Sequence, residues 1–162
     1  MKYPASYEVT VYKADDKRNA RYALGNSGEK TLLCFGINPS TANRNEADQT
    51  MKWLIDFSRE NGYDSCIMMN PYPLRTSCPD TLPANSDEAI LCQNFIEIEK
   101  IFKQKEGQPS IAMWGNIVET SSYMHNSVLK IIELSKKYGI RWFQLGNLSG
   151  KGNPRHIFLF AT

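Results

Sequence analysis

The 162-residue sequence is short of several things that chemistry usually announces itself with. It has two histidines, His125 and His156, and four cysteines, Cys34, Cys66, Cys78 and Cys92, none of them in a CxxC pair. Neither a zinc cluster nor a disulfide framework is expected from that set, and no metal and no cofactor are expected at all. No GxSxG elbow, Walker loop or Ser–His–Asp order is present, which removes the familiar hydrolase and nucleotide-triphosphatase signatures. No apolar stretch approaches the ~20 residues that span a bilayer, and MKYPASYEVT has no apolar core of a signal peptide, so a cytoplasmic protein without membrane contact is expected. Acidic residues are missing after Glu133, whereas Lys136, Lys137, Arg141, Lys151 and Arg155 follow it. The net charge of +2 is too small to imply nucleic acid by itself, but this bias suits phosphate.

What the sequence does have is a repeated device. Leu32, Leu33, Cys34, Phe35 and Ile37 run with almost no alternation, the mark of a strand covered on both faces, and the run halts at Asn38-Pro39. Ser65–Met69 ends in Asn70-Pro71, Ser110–Trp114 in Gly115-Asn116, and Ile140–Leu145 in Gly146-Asn147. If these strands are parallel, the four asparagines share one rim of the sheet, where ligands of open α/β sheets bind. Ordinary turn chemistry also favours asparagine, glycine and proline at such points.

Helices are expected between the strands. Asp48 is a good N-cap for an amphipathic helix to about Glu60, closed by a left-handed Gly62. Asn85 or Ser86 is expected to cap a second helix carrying Ile90, Leu91, Ile98, Ile101 and Phe102. A third runs from about Val118 to Tyr138. Tyr7–Lys13 and the short run Tyr22–Leu24 read as an antiparallel edge, and the run Ile157–Phe160 reads as a terminal strand. The expected fold is one α/β domain over residues 1–162, three layers α/β/α. Its central, mostly parallel sheet has four to five strands, with an N-terminal antiparallel edge.

The stretch Asn70–Ser86 holds four prolines, so neither a helix nor a central strand fits it, and loops of that length tend to be functional. Tyr72 and Arg75 are its best ligand contacts, although packing accounts for Tyr72 equally well. His156 follows Gly152-Asn153-Pro154-Arg155 and can donate a hydrogen bond to charge developing on a leaving group; a histidine satisfied at a strand end fits the position as well. An asparagine-rich rim with aromatics at strand ends (Phe35, Tyr72, Trp114) and scattered cations suits a nucleobase, whose edge amides read and whose face aromatics stack on.

Arg21-Tyr22-Ala23-Leu24, Asn38-Pro39-Ser40-Thr41-Ala42, Asp48-Gln49-Thr50, Asn70-Pro71, Trp114-Gly115 and Gly152-Asn153-Pro154-Arg155-His156 resemble, in order, a bacterial family known as domain of unknown function 1643. More distantly the pattern is similar to the uracil-DNA glycosylase superfamily, whose mismatch-specific members carry the Gly-x-Asn-Pro motif that Gly36-Ile37-Asn38-Pro39 matches. That resemblance implies a catalytic Asn38 positioning water and a catalytic His156 stabilising the departing base anion. It implies stacking by Phe35 or Tyr72 and base-edge reading by Asn70; Gly36, Pro39, Ser40, Arg75, Trp114, Asn116 and Arg155 are expected to complete the substrate site. The sequence departs from it in having Ser40 where glycine is common and Ile-Phe-Leu-Phe after His156, with no room for a duplex-wedging loop. Two functions are therefore expected to compete. One is a glycosylase-like N-glycosidic hydrolase acting on a nucleobase; the other is a non-catalytic module whose partner is nucleic acid or a nucleotide.

Overall fold

The computed structural model describes residues 1–157. It is an α/β structure of six strands and three α-helices, in the order β1 (Val11–Asp15), β2 (Ala20–Gly25), β3 (Thr31–Phe35), α1 (Gln49–Glu60), β4 (Ser65–Met69), α2 (Glu88–Gln104), β5 (Pro109–Ala112), α3 (Ser122–Lys136) and β6 (Arg141–Gln144). The strands form one mixed sheet in the order β1-β2-β4-β3-β5-β6. β4, β3, β5 and β6 run parallel, while β2 pairs antiparallel with both β1 and β4.

The apolar run of β3 explains its central position. Leu33 and Phe35 face a core built with Ile90, Ile98, Phe102, Met124, Val128 and Ile131 of α2 and α3. Their alternates, Leu32 and Cys34, face Met51, Leu54 and Ile55 of α1. A strand buried on both sides needs no polar alternation. Burial also pushes the Cys34 and Cys66 thiols up, which suits small core residues and not nucleophiles.

Several elements differ from the sequence reading in instructive ways. The run around Tyr22 is a longer strand than expected, Ala20–Gly25, entirely buried inside the sheet between β1 and β4. Its Gly25 approaches the β4 backbone so closely that an added Cβ would lie 2.0 Å from the Cys66 carbonyl oxygen. β1 begins at Val11, later than the expected Tyr7, and carries an irregularity between Lys13 and Ala14. The α2 cap is Asp87, which accepts from the Ala89 and Ile90 N–H groups, and not Asn85 or Ser86. The third helical segment divides at Thr120 into a short 3-10 helix (Gly115–Glu119) and α3. β6 is not covered on both faces: Arg141, Phe143 and Gln144 are exposed, and among the described residues it is the last strand of the sheet. Of the expected terminal run, only Ile157 falls within the described residues, and it is buried. No described helix is long and apolar enough to cross a membrane.

Candidate functional site

Because β3, β4, β5 and β6 are parallel, the turns holding Asn38, Asn70, Asn116 and Asn147 all follow carboxyl ends of strands. A cavity of about 490 Å³ opens at that rim. Its floor and walls come from Gly36, Ile37, Asn38 and Ser40 after β3, Met68 of β4, and Trp114, Gly115 and Ile117 after β5. The N-cap and first residues of α1 (Asp48 to Met51) and Thr76, Ser77 and Pro79 of the long loop close it, together with Arg21 and His156. A second groove, of about 730 Å³, lies over β1 and α2, away from the ends of the parallel strands, and is lined mainly by surface charges.

Of the residues expected in a site, Asn38, Gly36, Ser40, Trp114 and His156 line this cavity, whereas Phe35, Pro39, Asn70, Tyr72, Arg75, Asn116 and Arg155 do not. Phe35 is fully buried against Phe102 and Trp142. Tyr72 is fully buried too: its ring packs on Tyr123, and its hydroxyl accepts from the Asp87 N–H at 2.9 Å. Neither ring is available for stacking in the cavity; Trp114 is the aromatic there. Pro39 is buried.

The rim asparagines act largely on loops. Asn38 Nδ2 donates to the Pro39 and Thr76 carbonyls, both at 2.9 Å. Asn116 Oδ1 accepts from Ser149 Oγ at 2.7 Å and from Asn153 Nδ2 at 3.2 Å. That fastens the segment which also meets the Gly115 N–H through the Pro154 carbonyl at 2.9 Å and so carries His156 to the cavity. Arg155 Nε donates to the Asn147 carbonyl at 3.1 Å within the same segment. Arg75 donates to the Ser40 and Ala42 carbonyls and to the Tyr12 hydroxyl, tying the loop after β3 to β1. Asn70 sits behind Gly36: a Cβ at position 36 would come within 3.1 Å of its Oδ1. Its amide is fully buried and neither atom has a hydrogen-bond partner.

Three ionisable groups meet at the cavity. The Asp48 carboxylate caps α1 through the Met51 N–H at 2.9 Å. His156 is half-buried, and burial lowers its pKa, with the Asp48 charge opposing, so the imidazole is neutral at pH 7. Arg21 is only 2% exposed, and burial lowers its pKa to about 10, again opposed by Asp48. At neutral pH it remains a cation. His125, on an exposed helix position, takes no part. The chain therefore brings a neutral imidazole, a carboxylate, a guanidinium and an indole to one concave surface.

From the sequence, Asp48 stands close behind the first Asn-Pro turn, where the helix-cap reading is at least as good as a catalytic one, and Arg21 enters only as part of a basic connector and of the Arg21-Tyr22-Ala23-Leu24 motif. The signal for Arg21 was its position inside the apolar run Ala20–Leu24, where an arginine has to be buried if the run is a strand. Among the described residues no group of three or more histidines, cysteines and carboxylates assembles for a metal.

A protein-family model described as "Protein of unknown function (DUF1643)" matches residues 21–156, and the chain belongs to that family. No curated protein and no solved structure matches it.

Proposed function

We propose that this DUF1643 chain is a cytoplasmic, uracil-DNA-glycosylase-like α/β/α domain that takes a nucleobase, in nucleic acid or a nucleotide, into the cavity at the strand ends. The observation that carries the reading is the sharing of one cavity by Asn38 and His156, residues far apart in sequence. Its volume of about 490 Å³ falls in the usual range for small-ligand sites. Trp114, although buried and packed edge-on against Trp142, is an aromatic residue that lines the cavity, and the His156 imidazole of the same cavity carries an N–H suited to a base.

In the hydrolytic form of the proposal, water oxygen bonds to the sugar C1′ as the bond from C1′ to the base nitrogen breaks. The base leaves with the bonding electron pair, held by a hydrogen bond from His156. The Asp48 carboxylate receives the water proton. Asn38 contributes through Oδ1 as acceptor, since its Nδ2 is engaged by the Pro39 and Thr76 carbonyls. That engagement of Nδ2 favours the second reading, a module that binds the base without cleaving the bond.

The test is incubation with single and double strands containing uracil, hypoxanthine or mismatches, followed by detection of abasic sites. Cleavage that disappears in His156→Ala supports the hydrolase. No cleavage, with strand or nucleotide binding that Trp114→Ala weakens, supports the module; binding through phosphates also falls steeply with salt. Neither cleavage nor binding on the whole panel ends the proposal.

A further inference from the structure

The Arg21 guanidinium is almost fully buried on β2 and lines the cavity. Its Nη1 donates to the Ala42 carbonyl at 2.8 Å, and its Nε is buried without a hydrogen-bond partner. None of the ion pairs among the described residues includes it. Asp48 acts on it electrostatically, but the oxygen that caps α1 is already engaged by the Met51 N–H. A second guanidinium, Arg75, converges on the same Ala42 carbonyl at 2.9 Å, so two like charges crowd one acceptor. Burying an arginine without a hydrogen-bonded counter-charge is costly, and arginine does not escape by losing its proton.

The other wall is the first turn of α1, a helix of 12 residues whose Gln49 and Thr50 line the cavity. N–H groups there have no partner within the helix, and the helix dipole favours negative charge. A buried cation with no hydrogen-bonded counter-charge thus lines the same cavity as a helix N-terminus, where the Asp48 carboxylate takes the Met51 N–H.

We propose that this cavity is an anion receptor, in which Arg21 and the first turn of α1 hold a phosphate or carboxylate group of the ligand. The inference goes beyond the nucleobase reading and stands without it, because it uses neither the indole nor the imidazole. Both ligand chemistries present a pair of anionic oxygens on one centre, which a guanidinium matches.

The experiment measures melting temperature and calorimetric binding with inorganic phosphate, acetate, uridine and uridine monophosphate. The wild-type protein should be stabilised by phosphate or acetate, whichever names the anion, and should bind the monophosphate about tenfold or more tightly than uridine if the anion is phosphate. Arg21→Met should abolish the anion response. Gln49→Glu places a carboxylate on the cavity wall at an exposed first-turn position where it suits the helix, so it should fold normally and still weaken the anion about tenfold. A merely structural Arg21 would leave the Gln49→Glu response unchanged. If Arg21→Met does not fold, Gln49→Glu alone decides. No response of the wild type to phosphate, acetate or monophosphate overturns the proposal, as does undiminished anion binding in Gln49→Glu. Uridine binding without any anion response would sink the receptor and spare the nucleobase reading. An anion response without uridine binding would support the receptor, and the strand panel would then decide the nucleobase reading.

Discussion

Asn38 and Thr76 are locked together across 38 positions of sequence: Asn38 Nδ2 donates to the Thr76 carbonyl at 2.9 Å, and the Thr76 N–H donates to the Pro39 carbonyl at 2.9 Å. The asparagine that ends β3 thus holds the proline-rich loop against the cavity mouth. Asn38→Asp removes the amide donor and sets a carboxylate against carbonyl oxygens. Loss of a hydrogen bond at a partly buried site is worth on the order of 1–3 kcal/mol. The expected outcome is a lower melting temperature and faster proteolysis within Asn70–Ser86 for both Asn38→Asp and Asn38→Ala. A protease pattern identical to wild type would show that Asn38 does not hold the loop.

His156 makes a pH prediction whose sign follows from its burial. Its folded pKa lies below the ordinary 6.5, so the unfolded chain takes up the proton more readily. The stability contribution is present in full above the unfolded value and is lost as pH falls through the lowered folded value. Urea unfolding from about pH 5 to 8 should show this loss, and His156→Gln should flatten that part of the profile. An unchanged slope in the variant would contradict the assignment.

Asn70 carries a buried amide with neither atom hydrogen-bonded. Leaving such a group unsatisfied costs about 1–3 kcal/mol, whereas an apolar side chain branched at the same atom avoids that penalty. Asn70→Leu is expected to raise the urea midpoint of the unliganded protein or leave it unchanged. A loss of more than about 1 kcal/mol would mean that the amide is satisfied in solution.

Gly25 stands where β2 meets β4. The Cβ of Gly25→Ala would lie 2.0 Å from the Cys66 carbonyl oxygen and 2.9 Å from the Ile67 Cα, and backbone cannot step aside as a flexible side chain does. A destabilisation of about 3 kcal/mol or more is expected, at the upper end for overpacking. Thermal unfolding of the variant measures it; a wild-type melting temperature would refute the close approach.

Ligand binding should be indifferent to chelator, since the described residues hold no group of metal-ligating side chains. Binding lost in EDTA and restored by a divalent ion would reverse this.

Much of the frame could be read in the sequence because local patterns determine it. The unalternating Leu32–Phe35 and Ser65–Met69 runs become strands covered on both faces, and Asp48 caps α1 because its short carboxylate reaches the Met51 N–H. β6 misled because an apolar run left partly exposed looks like one that is covered; only tertiary packing decides which faces are covered. The rim of asparagines followed from strand direction, yet which of them meets the cavity did not. Asn38 lines it, Asn70 is sealed behind Gly36, and Asn116 holds the segment that delivers His156. Arg21 belongs to tertiary structure almost wholly. A cation in a short apolar run has no assigned environment until β2 is inserted between β1 and β4 and α1 brings its first turn to the same cavity. Periodicity and capping act over a few residues and are written locally. The site's charge balance depends on groups that only the fold brings within reach of one another.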